Sequence, residues 1–180
     1  NQFMLHQALK LYGVDTIFDI GANSGMSAEL FRSIGFSDKI ISFEPIKYLY
    51  EELEQKSLND PLWVIESLAL GDVAGYAEIN VLGGHDGGSS MLEMTGNVIS
   101  NAPDQRAVRK ERITIDTLDN MLRKHYPEGD RCFLKMDVQG FEKKVLEGGM
   151  NNLDQVIGLK IELSLVENYV DETLFLEMVP

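Results

Sequence analysis

The sequence has little of what would tie a chain to a disulfide scaffold, to nucleic acid or to a bilayer. One cysteine, Cys132, stands among 180 residues, so it has no partner for a disulfide, and the compartment reads as reducing or indifferent. Basic residues are sparse: 16 Lys and Arg face 29 Asp and Glu, for a formal net charge of −13. A protein that neutralises backbone phosphates needs a basic stripe. The longest basic cluster here, Arg106, Arg109, Lys110 and Arg112, is interrupted by Glu111 and reads as a solvated face. Nucleic acid is therefore not expected as a partner. No run of ~18 apolar residues exists to span a bilayer, and no basic-then-apolar leader opens the chain, so no membrane association is expected and the cytoplasm is the default location. The three histidines form no H-x-x-x-H pair, and with a single cysteine a dedicated transition-metal site is not expected.

What is present is the composition of an ordinary globular domain, 44% apolar and 25% charged. The length suits a single domain spanning residues 1–180. Phe3 to Tyr12 reads as an amphipathic helix that stops at Gly13. The run TIFDI (Thr16–Ile20) reads as a strand, GANSG as a tight loop, and Met26, Leu30, Phe31 and Ile34 as the apolar face of a helix. The pattern repeats: KIISF as strand, Glu44-Pro45 as turn, and a helix from about Ile46 to Leu58. WVIESLAL (Trp63–Leu70) reads as a third strand and Tyr76–Leu82 as a half-exposed one. GGHDGGSS reads as a flexible loop, Ile113–Ile115 as a short strand, and Leu118–Leu122 as a helix. CFLKMDV (Cys132–Val138) and VIGLKIEL (Val156–Leu163) are strands flanking a helix with Val145 and Leu146, and DETLFLEMVP is helical in pattern. Strands alternating with helices predict a doubly wound, mostly parallel α/β sheet.

Ligands of such sheets bind beyond the carboxyl ends of the strands, where strand order reverses. FDIGANSG places Asp19 near the end of the first strand, followed by Gly21 and Gly25 with Asn23 between them. A nicotinamide dinucleotide site asks for G-x-G-x-x-G here, so that a pyrophosphate approaches the second glycine and the helix packs on the third. Asn23 and Met26 occupy those positions, which disfavours a nucleotide-dependent oxidoreductase and suits a cofactor without phosphates. S-adenosylmethionine has none. Glu44 closes the second strand 19 residues after Gly25, near the spacing of ~20 at which an acid meets ribose hydroxyls, and Glu44 is assigned to the ribose.

DIGANSG, ISFEP, ITIDTLDNML and FLKMDVQGFEKKVLEGG followed by IELS together resemble the FkbM-like methyltransferases, over Asp19 to Ser164. The resemblance implies a Rossmann-like class I fold of seven strands, S-adenosylmethionine as donor, and O-methylation of a sugar or natural-product hydroxyl, hence a small-molecule or sugar acceptor. By position, Asp19, Gly21, Asn23 and Gly25 match the first cofactor motif and Glu44 the ribose-binding acid. SLALGD matches the region bordering adenine, with Ala69 its assigned residue. Two departures stand out: Gln139 replaces a frequent Glu, and the last two strands of the fold are not readable before Pro180, so the domain is expected to continue.

Methyl transfer asks mainly for alignment of nucleophile and methyl, with a base in reach of the hydroxyl proton. Asp137, at the end of a central strand, is the first candidate and is also assigned to the cofactor pocket; a helix-capping role competes with this. His85, in the glycine-rich loop, and Glu162, at the end of the last strand, are the other candidates, each equally explicable as an exposed or strand-end residue. An Asp-based magnesium site beside Asp137 stays open. A non-catalytic S-adenosylmethionine-binding module, or a subunit of a larger assembly, is the rival reading. The sequence assigns no oligomeric state.

Overall fold

A central strand with helices on both faces buries every position, and two segments here do so: Thr16–Ile20 (β1) and Cys132–Met136 (β7) are buried throughout. The computed structural model describes residues 2–83, 88–101, 107–129 and 131–179. Around those strands the chain runs α1 (Gln2–Leu11), β1, α2 (Met26–Ser33), β2 (Lys39–Phe43), α3 (Lys47–Ser57), β3 (Trp63–Glu66), β4 (Ala69–Gly71), β5 (Gly75–Leu82), α4 (Gly96–Asn101), β6 (Ala107–Thr117), α5 (Leu118–His125), β7, α6 (Glu142–Glu147), β8 (Val156–Ile161) and α7 (Phe175–Met178). Five strands form one sheet in the order β3-β2-β1-β7-β8, every pair parallel. This is the expected doubly wound α/β arrangement. Strand order reverses between β1 and β7, so their carboxyl ends flank the crevice.

Alternation along each strand divides the core. Phe18, Ile20, Ile41, Phe43, Leu134 and Met136 pack on Leu118, Met121, Leu122 and Val145 of α5 and α6. Ile17, Ile40 and Phe133 face the other way, onto Leu9, Ala28, Phe31 and Leu53 of α1, α2 and α3. Each fully buried side chain of this kind contributes ~1.5 to 3 kcal/mol. Among the described residues no antiparallel strand lies beyond β8. No helix among them is long and apolar enough to cross a membrane.

Three readings need correction. Trp63–Leu70 is two strands, since β3 pairs with β2 whereas β4 joins a second sheet of order β4-β6-β5. The reason lies in β2: the Glu44 N–H donates to the Glu66 carbonyl (3.1 Å), and the next residue, Pro45, has no N–H to extend the ladder. β6 runs for eleven residues rather than three. Its charged half pairs antiparallel with β5 through the backbone, and side chains on the water-facing side place no limit on that. Arg109, Lys110 and Arg112 are exposed there, the expected solvated face. The terminal helix shrinks to Phe175–Met178, because Asp171 is left-handed (φ 62) and Glu172 turns inward to accept from Ser164 and from the Asn168 N–H.

Candidate functional site

The loop after β1 spends every one of its amides inside the protein. Gly21 and Ala22 N–H both donate to the Phe43 carbonyl (3.2 and 3.0 Å), and Gly25 N–H donates to Ala22 (2.9 Å). Asn23 N–H donates to Glu44 Oε2 at 2.8 Å, and Ser24 N–H to Asn23 Oδ1 at 2.6 Å. A phosphate-binding loop presents such amides to its ligand; this one has none to offer between residues 21 and 25. Left-handed geometry at Gly21 (φ 74), Asn23 (φ 50) and Gly25 (φ 88) makes the folding-in possible. At Gly21 the missing side chain is filled by protein, since a Cβ would stand 2.0 Å from the Asp137 carbonyl oxygen.

Beneath the loop lies a row of buried polar groups set by strand register, which aligns Ser42, Asp19 and Lys135 across β2, β1 and β7. Trp63 Nε1 donates to Ser42 Oγ (2.9 Å), and Ser42 Oγ donates to Asp19 Oδ2 (3.3 Å). Lys135 Nζ stands 3.1 Å from Asp19 Oδ1, an ion pair off the hydrogen-bond direction, and donates to the Gly21 carbonyl at 2.9 Å. Asp19 is thus wholly buried and holds the loop from below rather than lining the cleft. Gly25 is also removed from the cleft, against Leu53 and Trp63.

The cleft above the loop is lined by Gly21, Asn23, Glu44, Ala69 and Asp137, five of the residues singled out in the sequence, together with apolar Phe43, Ile46, Leu70 and Ile79. Glu44 accepts one backbone N–H at each oxygen, from Asn23 (2.8 Å) and from Ile46 (2.9 Å), which leaves each oxygen a further lone pair. Burial pushes its carboxyl up to about 7, against the two amides, which favour the charge; Asp19 adds to the rise and Lys135 opposes it. Two acceptors side by side suit a vicinal diol, and the apolar walls suit a flat heterocycle, so the donor set fits the nucleoside of S-adenosylmethionine. The cleft is narrow, about 60 Å³. Entry of a nucleoside requires a wall to shift; Ser89-Ser90-Met91 lies outside both sheets, held to β5 by the Asn80–Ser90 bridge and by the Leu82 N–H donating to Ser89 Oγ (3.1 Å).

Asp137 follows β7, its N–H donating to the Ile20 carbonyl (3.1 Å). Its Oδ1 accepts from Gln139 Nε2 at 2.7 Å, and its Oδ2 makes no hydrogen bond to the described residues. It does not cap α6, whose N-cap is Phe141; the loop between is held by Glu142, which accepts the Val138 N–H at 3.0 Å. Glu162 is elsewhere, in a separate recess with Glu142, Glu172 and Tyr169. His85 lies outside the described residues. Among those described, no group of three or more His, Cys, Asp or Glu side chains is arranged to hold a metal. Sequence reasoning missed Lys135, although a lysine inside the apolar run CFLKM signals a buried partner, and it missed Ser90, whose wall position has no local sequence mark.

Against known families, the Methyltransferase FkbM domain matches residues 19–180. The chain belongs to the FkbM methyltransferase family. Methyltransferase sdnD of Sordaria araneosa is 28% identical to it over 153 residues, covering 73% of this chain and 59% of that protein. The chain therefore spans under two thirds of that relative's length. No solved structure matches. Within the matched range, Gly21, Asn23, Glu44 and Asp137 lie at the cleft, with Asp19 and Lys135 as their buried support.

Proposed function

We propose that this FkbM-family protein moves a methyl group from S-adenosylmethionine to a hydroxyl of a small molecule, a sugar or another natural product. The observation that carries this is the folded-in loop: residues 21–25 leave no amide for a pyrophosphate, while Glu44 keeps acceptor capacity at the cleft. When bound, the cofactor would supply an electrophilic methyl on a cationic sulfur, which would keep the carbon–sulfur electron pair as the acceptor oxygen took the carbon. Glu44 takes the ribose hydroxyls. Ala69 and Leu70 border the heterocycle. Asp137 receives the hydroxyl proton at Oδ2, with Gln139 holding Oδ1 and so fixing the carboxylate plane. The formal net charge of −13 argues against nucleic acid as the acceptor, and the lone buried thiol of Cys132 accords with a cytoplasmic setting.

Calorimetry tests the cofactor assignment. Glu44→Ala removes charge-assisted hydrogen bonds worth ~1.5 to 3 kcal/mol, so S-adenosylmethionine binding should weaken by at least about tenfold, whereas a nicotinamide dinucleotide should bind neither protein. Unchanged affinity in the variant would remove Glu44 from the site.

A further inference from the structure

A second cavity adjoins the cleft, lined by Leu82, Leu92, Met94 and Ile99, with Asn80 and Tyr169 as polar points and the exposed Lys110–Glu93 ion pair (3.7 Å) at its edge. At about 440 Å³ it falls in the range of ~300 to 1,000 Å³ typical of small-molecule sites. It is built between the small sheet and the segment that follows the glycine-rich loop. Ser90 belongs to the walls of both cavities. Its hydroxyl donates to the Gln139 carbonyl (2.7 Å) and accepts the Leu92 N–H (3.0 Å). From this side Tyr169, itself buried, donates to Gln139 Oε1 at 2.8 Å, and Gln139 Nε2 donates to Asp137 Oδ1 at 2.7 Å. One amide side chain thus links the second cavity to the candidate base, with its orientation set at both ends. Gln139 is held in a left-handed conformation, φ 55, a cost that surrounding contacts must maintain.

We propose that this second cavity is the acceptor site, and that it takes an apolar molecule bearing an isolated hydroxyl rather than a free sugar. The proposal rests on the methyl-transfer reading and narrows its substrate class. A sugar carries a hydroxyl on nearly every carbon, and each one buried needs a partner. Here most polar side chains are already paired: Asn80 Nδ2 with the Leu92 carbonyl (3.0 Å), Lys110 with Glu93 (3.7 Å), Ser90 and Tyr169 in the bonds above. The aliphatic walls match a hydrocarbon body, and at Ser90 the cavity meets the cleft that holds Asp137. A molecule bound body-inward would present its hydroxyl there. Tyr169 and Gln139 are positioning residues in this scheme, acting through Asp137.

The test uses 1-decanol and methyl glucoside as probes, with binding read by saturation-transfer NMR on the whole chain. Met94→Trp fills the cavity from within, and Ala107→Trp fills it from the exposed rim, so a folding failure in one leaves the other. Decanol should bind the unaltered protein and lose affinity by about tenfold or more in both variants, with methyl glucoside binding neither. Calorimetry with S-adenosylmethionine on the same samples should give unchanged affinity. Equal decanol binding in a folded variant, or methyl glucoside binding more tightly than decanol, overturns the acceptor assignment. Failure of S-adenosylmethionine to bind the unaltered protein would instead overturn the methyl-transfer reading, and the acceptor role with it, whatever decanol does.

Discussion

The two sheets divide the work of the molecule. The parallel sheet is covered on both faces, and its central strands are buried at every position, yet it carries the buried ion pair and delivers Gly21, Asn23, Glu44 and Asp137 to the cleft. The small sheet is covered on one face, with the charged half of β6 turned to water, and it contributes walls: Ala69, Ile79 and Asn80. A strand end in a doubly covered sheet is held from both sides, which suits groups whose placement must be accurate to a fraction of an ångström. A one-sided sheet tolerates change on its outer face. On the proposed function, the difference teaches that the candidate cofactor and base residues are scaffolded where the fold has least freedom, and the proposed acceptor cavity where it has more.

Changes that break this comparison should be largest in the parallel sheet. Lys135→Met removes one half of a pair whose side chains are 7% and 0% exposed, stranding Asp19, and should cost ~3 to 5 kcal/mol of stability in urea unfolding. A loss under ~1 kcal/mol would mean that the row beneath the loop is not structurally required. Next in size, Asp137→Asn preserves shape and the hydrogen bond at Oδ1, so cofactor affinity should hold while turnover falls by ~100-fold or more. Full turnover in that variant would transfer the base role elsewhere, with His85 the first alternative.

A smaller effect follows from Glu44, whose carboxyl is raised from 4.5 to about 7. A raised acid stabilises the fold below the unfolded value, and that contribution is lost as pH rises through about 7. Ribose hydroxyls donate to the charged form, so cofactor affinity should move the opposite way, rising with pH by up to about tenfold per unit and levelling above 7. Calorimetry across pH should show this slope, and Glu44→Gln should flatten it; an equal slope in the variant would assign the titration to another group. At the small end, Glu111→Gln breaks the Arg109–Glu111 pair on β6, 2.6 Å apart and partly exposed. It should change stability by no more than ~1 kcal/mol, less in high salt. A larger loss would show that the small sheet is as constrained as the parallel one.

Much was legible before folding because it is local. The short apolar runs TIFDI, KIISF and CFLKM could only be covered strands, and the βα alternation could only give parallel pairing. Asn23 and Met26, in place of glycines, already argued against a pyrophosphate. The placement of Glu44 and Asp137 at strand ends was readable for the same reason: a strand end and the turn after it are set by neighbours in the chain. Where the reading failed, the deciding partner was distant. Ala107–Glu111 looked unlike a strand until β5 supplied its backbone partners, and WVIESLAL looked like one strand until Pro45 ended the neighbour it needed.

Sequence alone therefore determined the doubly wound class, the phosphate-free character of the loop and the two acids at the cleft, since each rests on a residue and its near neighbours. Tertiary structure decided what those residues touch. Asp19 matched a cofactor motif, but the register of three strands turned it onto Lys135 and Ser42, because cross-strand neighbours are chosen by pairing and not by order along the chain. Gly21 matched the same motif, but the residue that follows β7 fills the space beside it, with the Asp137 carbonyl where a Cβ would be. The link from Tyr169 through Gln139 to Asp137 joins residues 30 and 2 positions apart, and a hydrogen bond of that kind exists only once packing has excluded water and brought its ends together.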